Sequence, residues 1–128
     1  MRIRTQHDEE NEAGTTRPAK NAFCGIEEVY RTMGNNGDSA KSIWLTEMGW
    51  STASSTYGVS ETVQADYLTK AFAKLATYPY VGAAFWYNFR NTYWTRDNPA
   101  DLNANFGLLR TDFSKKPAYW ALKLLGDA

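Results

Sequence analysis

Glu47 stands directly behind a short apolar run, Ile43-Trp44-Leu45, and Gly49 follows two residues later. The run predicts a strand buried on both faces of a parallel sheet, and Gly49 breaks it and frees the chain to turn. A carboxylate at the carboxyl end of such a strand lies at the rim of the sheet, where α/β proteins place their chemistry. On position alone this allows a catalytic role for Glu47. The structural alternative is that Glu47 only ends the strand and pairs with a neighbouring Lys or Arg. A second group with chemical potential follows Trp86: Arg90, Asn91, Tyr93, Trp94, Arg96, Asp97 and Asp101. Hydrogen-bonding groups interleaved with aromatic rings are the composition of a sugar site's wall, and equally of a solvated loop.

These residues need elements to hold them. From Phe23 the pattern is helical, with Phe23, Ile26, Val29, Tyr30 and Met33 on one face and Gly34 as the expected stop. Asn35-Asn36-Gly37-Asp38 is a turn; its spacing does not meet that of a calcium loop. Gly49 to Gly58 forms a Ser/Thr-rich loop holding Trp50 and Tyr57. Ser60 is the expected N-cap of a second helix, whose apolar stripe is Val63, Tyr67, Leu68, Ala71, Phe72 and Leu75. Tyr78-Pro79-Tyr80 leads into Val81 to Trp86, an all-apolar strand whose small residues suit a crowded sheet interior. Strand, helix and strand in this order predict a right-handed βαβ unit with parallel strands. Both long loops leave carboxyl ends of strands, and loops of such length are usually functional. Ser114, Lys115 and Lys116 are expected to open a last helix with Pro117 in its first turn. Ala118, Ala121, Leu122 and Leu125 should face inward, Gly126 should end the helix, and Trp120 reads as packing.

The 128 residues suffice for one domain but not for a closed eight-stranded α/β barrel, which needs about 250. With 14 basic and 14 acidic residues and no basic tract, neither nucleic acid nor a membrane surface is an expected partner. No apolar stretch reaches the roughly 18 residues of a membrane span. Aromatics make up 15%, with five Trp and eight Tyr, which fits sugar-ring stacking and a dense core alike. Cys24 is the one cysteine, so no internal disulfide can form; it reads as a small buried apolar residue. Residues 1–22 are acidic and polar, and are expected to be a mobile tail or loop remnant; residues 23–128 form the folded part. His7 belongs to that tail and reads as solvated. No apolar segment follows the first basic residues, so any export signal is expected to lie elsewhere.

Ile43-Trp44-Leu45-Thr46-Glu47-Met48-Gly49-Trp50-Ser51-Thr52 resembles the seventh-strand segment of clan A glycoside hydrolases, the (β/α)8-barrel enzymes that include endoglucanases and β-xylosidases. Ala84-Phe85-Trp86-Tyr87-Asn88, Asn105-Phe106-Gly107-Leu108-Leu109 and Lys116-Pro117-Ala118-Tyr119 resemble the clan's eighth strand, its loop and its last helix. The ordered matches run from about Phe23 to Leu125. The resemblance implies an α/β fold that is the C-terminal part of a TIM barrel: two parallel βα units plus a preceding helix. It implies an O-glycosyl hydrolase that acts on β-linked polysaccharide or oligosaccharide with retention. Glu47 would be the nucleophile and Trp86 the aromatic floor beneath the sugar, flanked by Asn88 and Trp50; the composition of the loop after Trp86 adds Trp94 as a further binding residue. The resemblance implies no metal and no cofactor.

A retaining glycosidase needs a second carboxyl group, about 5 to 5.5 Å from the first, that stays protonated. In the clan this is a Glu after an Asn at the end of the fourth strand. Asn11-Glu12 has no apolar strand before it and does not match, and nothing in the resemblance supports Asp97 or Asp101. The expected partners are therefore a carbohydrate substrate together with a missing barrel half or a second copy of the chain. The competing reading is a non-catalytic barrel remnant that packs on another chain or binds sugar weakly.

Overall fold

The computed structural model describes residues 24–92 and 99–127. The expected tail (residues 1–22), and with it His7 and Asn11-Glu12, lies outside the described residues, as does the 93–98 segment with Trp94 and Asp97. In order the elements are α1 (Cys24–Asn35), β1 (Ile43–Met48), α2 (Glu61–Leu75), β2 (Val81–Trp86) and α3 (Pro117–Gly126). β1 and β2 are parallel neighbours in a two-stranded sheet, with α2 as the crossover. The chain divides into two compact units. One holds α1, β1 and β2 as far as Phe85; the other holds Trp86, α2, α3 and the two long loops.

In the first unit α1 runs through Gly34 and stops at Gly37 instead. Asp38 N–H donates to the Met33 carbonyl (2.8 Å) and Gly37 N–H to that of Gly34 (3.2 Å). Gly37 has φ +83°, the left-handed conformation that this six-residue closure needs. Gly34 has ordinary helical geometry, so its type alone misplaced the stop. Ile26 is fully buried, whereas Val29 on the same predicted face is exposed. Tyr30 stacks on Tyr80 at 3.9 Å, and Tyr80 on Tyr78 at 5.3 Å. The Tyr78 hydroxyl donates to Glu27 at 2.6 Å.

The strands are not buried on both faces. β1 alternates, with Ile43 and Leu45 buried and Trp44 60% exposed; in β2, Phe85 is 51% exposed. Trp44 and Phe85 lie against each other, ring centres 6.4 Å apart. Period-two burial is the mark of a sheet covered on one side.

In the second unit, α2 begins where Ser60 accepts the Val63 N–H (3.1 Å). Its buried stripe is Gln64, Leu68, Ala71 and Leu75, with Tyr67 exposed. α2 packs on α3 around Leu68, Leu108 and Ala118, with Phe72, Trp86 and Leu122 beside them. α3 starts at Pro117 with Lys116 as its N-cap, so the Ser114–Lys116 stretch precedes the helix. That stretch pairs back on the chain: Arg110 N–H reaches the Ser114 carbonyl (2.9 Å) and Lys116 N–H that of Leu108 (3.0 Å). Leu125 is 38% exposed, so the inward face of α3 ends near Leu122. Trp120 is half exposed, its ring 4.7 Å from the Lys115 ammonium.

Candidate functional site

Glu47 is the fifth residue of β1, at the strand's carboxyl end, and is partly buried between exposed Thr46 and buried Met48. The chain then enters the second unit at Gly49. A β-carbon there would lie 2.1 Å from the Tyr87 carbonyl oxygen, so only glycine fits. Gly49 does more than interrupt a strand: it lets the segments that follow β1 and β2 approach backbone to backbone.

Of the predicted binding residues, the second unit brings Trp50 and Trp86 together. Their rings lie 5.9 Å apart, tilted by 39°, and Trp50 meets the Tyr67 ring edge-on at 5.4 Å. The Trp86 indole N–H is buried and has no hydrogen-bond partner among the described residues, and the same holds for the Asn88 side-chain oxygen. An unpaired buried group costs about 1–3 kcal/mol, and such departures from full pairing gather at functional sites. The Asn88 backbone is well held: its N–H donates to Phe106 (3.3 Å) and its carbonyl accepts from Leu108 (3.1 Å). The Tyr87–Asn88 peptide is cis. Asp101 does not stand free; its Oδ1 accepts the Asn103 N–H at 2.9 Å.

The two long loops are knitted to each other. Ser51 Oγ donates to the Leu102 carbonyl (2.7 Å), Thr52 N–H to Asn105 (3.0 Å) and Ser54 N–H to Pro99 (2.8 Å). Gln64 reaches up from α2 to donate to the Trp50 carbonyl at 2.8 Å. Residues 88–91 run parallel to 107–109 through Asn91 N–H to Leu109 and Leu109 N–H to Phe89. The described part of the loop after Trp86 is thus fastened down: Asn91 is buried and Arg90 covers the Phe113 ring at 4.3 Å. On the outer side Arg110 grips both oxygens of Glu61, at 2.9 and 2.5 Å.

Lys116 was missed as anything but a helix opener. Its side chain is fully buried, and its ammonium donates to Thr52 Oγ1, Asn91 Oδ1 and the Asn105 carbonyl. Burial lowers its pKa from 10.5 to about 8. A weak signal was available. In the extended Ser114–Lys116 stretch, side chains alternate, so if Lys115 points outward then Lys116 points in.

Residues 18–114 match the family model of the glycosyl hydrolase catalytic core. The chain belongs to that family. It is similar to a family 39 glycoside hydrolase from the gut symbiont Bacteroides cellulosilyticus, with 36% identity and a TM-score of 0.53, over 63% of this chain and 16% of that one. A family 2 β-galacturonidase from Eisenbergiella tayi shares the fold at 21% identity and TM-score 0.59, over 77% of this chain and 19% of the other. So does a β-glucuronidase from Bifidobacterium dentium, at 24% identity and TM-score 0.56, over 82% and 18%. The chain spans less than a fifth of the length of each of these structures. No curated protein matches it.

Proposed function

We propose that this chain is the C-terminal part of a (β/α)8-barrel O-glycosyl hydrolase that cleaves β-linked oligosaccharide or polysaccharide with retention, and that Glu47 is its nucleophile. The observation that carries this is the position of Glu47 inside the family match, at the carboxyl end of a parallel strand whose preceding apolar residues Ile43 and Leu45 are buried. In the retaining mechanism the Glu47 carboxylate attacks the anomeric carbon, the leaving oxygen takes a proton from a second carboxyl group, and water then releases the sugar. The resemblance matches no described carboxyl group to that acid. Trp86 takes the role of a floor for the sugar ring, with Trp50 and Asn88 beside it. The tilted indole pair supports this, as do one unpaired donor on Trp86 and one unpaired acceptor on Asn88. Trp94 joins them as a binding residue on the composition of its loop alone.

The reading is tested in a full-length enzyme that carries this segment. Replacing Glu47 by Gln should abolish turnover of an activated β-glycoside, and Trp86→Ala should weaken binding while leaving the product retained. Inversion of configuration would refute it. For the isolated chain, the exposed Trp44 and Phe85 favour the second reading: a partial barrel that associates with another chain and hydrolyses no unactivated glycoside. General acid assistance contributes typically about 10²–10⁴-fold, and no group for it has been found.

A further inference from the structure

The Lys116 ammonium takes no part in the chemistry above, yet it occupies the junction of the two loops. It is fully buried, and among the described residues it has no ion-pair partner. Its three donors meet three neutral acceptors: Thr52 Oγ1 at 2.8 Å, Asn91 Oδ1 at 3.0 Å and the Asn105 carbonyl at 3.2 Å. Thr52 belongs to the loop after β1; Asn91 and Asn105 belong to the loop after β2. The acceptors are themselves cross-linked. Thr52 donates to the Asn105 carbonyl through its N–H (3.0 Å) and its hydroxyl (3.1 Å), Asn91 Nδ2 to Asn105 Oδ1 (3.1 Å), and Gly107 N–H to Asn91 Oδ1 (3.0 Å). The Lys116 backbone holds the same region, since its N–H donates to Leu108, whose own N–H donates to Asn88. Without the ammonium, Asn91 Oδ1 would keep the Gly107 N–H and the Asn105 carbonyl its two donors from Thr52, but the link that runs from Thr52 through the ammonium to Asn91 would be lost. A buried charge is a costly way to supply three donors, so a gain in the relative placement of the loops is the natural return for it.

We propose that Lys116 is a positioning residue: by tying Thr52 to Asn91 and Asn105, its ammonium sets Trp50, two residues from Thr52, against Trp86 and Asn88. This rests on the sugar-binding role proposed for those three residues and extends it to the group that aligns them. The charged groups that act on the ammonium are Glu61 on α2, which favours its charged form, and Arg110 in the chain before α3, which opposes it. Burial outweighs both.

The test follows the indole N–H resonances of the full 128-residue chain by NMR, assigned by single Trp→Phe replacements. The pH is taken from neutral through 8 towards 10.5, the interval between the two lysine values. Trp50 and Trp86 should shift together with one midpoint near pH 8, while Trp44 and Trp120 stay in place. Lys116→Met should abolish the transition, and Lys116→Arg, which keeps the donors, should hold the low-pH positions. A merely structural lysine would leave the two indoles unmoved, or move all indoles alike; either result overturns the proposal. If Lys116→Met does not fold, the titration of the unaltered chain decides alone. No sugar is present, so failure here is distinct from failure of the glycosidase reading, which is decided by the fate of Glu47.

Discussion

Glu47 and Lys116 are opposite cases of what a single residue reveals. The place of Glu47 at the carboxyl end of a strand was legible because an apolar run, a carboxylate and a glycine follow one another within seven residues, Ile43 to Gly49; its role as nucleophile rests on the resemblance. Lys116 was not legible, because nothing in Lys115-Lys116 says which ammonium is solvated. The answer lies in Thr52, Asn91 and Asn105, 64, 25 and 11 residues away in sequence. Its depressed pKa has a consequence for stability whose sign follows from linkage. Between about pH 8 and 10.5 the unfolded chain holds the Lys116 proton and the folded chain has released it. The burial penalty, fully present below pH 8, is therefore relieved as pH rises through that window. Urea midpoints should rise over the interval in the unaltered chain more than in Lys116→Met. Equal slopes would show that Lys116 titrates as an ordinary lysine.

At the scale of elements, the order helix, strand, helix, strand, helix was readable from periodicity, and the N-cap Ser60 from its residue type. Ser60→Ala should cost about 1 kcal/mol in urea unfolding, because the Val63 N–H loses its acceptor. Leu68, fully buried between α2 and α3, should cost about 2–5 kcal/mol when cut to Ala. The misreadings share a cause. The stripe on α2 was sought among apolar residues, and so passed over Gln64, which is buried because its amide serves the Trp50 carbonyl. Residue type points to Gly34 as the end of α1 because composition cannot tell which of two nearby glycines has positive φ. The apolar strands were expected to be covered on both sides, yet Trp44 and Phe85 are exposed, because a hydrophobic run does not say whether both faces of its strand are covered. Gly49 does end β1 as its type predicts, but its closeness to Tyr87, which sequence cannot show, makes it a spacer as well. Gly49→Ala should destabilise the second unit by about 1–3 kcal/mol as the Tyr87 segment is pushed away.

For the whole molecule, the feature with the clearest consequence is the exposed Trp44–Phe85 face of the first unit. A two-stranded sheet with an aromatic face open to water favours association. Sedimentation velocity should show a weight-average mass that grows with concentration, reduced by Trp44→Ser with Phe85→Ser. A sharp monomer at every concentration would remove that face as a contact surface. The central claim, however, concerns Glu47, and the direct measurement is covalent labelling of a full-length enzyme that carries this segment. A 2-fluoro-glycoside with a good leaving group should accumulate as an adduct, since fluorine slows the second, oxocarbenium-like step more than the leaving group can offset. Peptide mapping should place the sugar on Thr46-Glu47-Met48, and Glu47→Ala should prevent the adduct. A sugar found on any other carboxylate would contradict the assignment and leave the strand's resemblance one of fold alone.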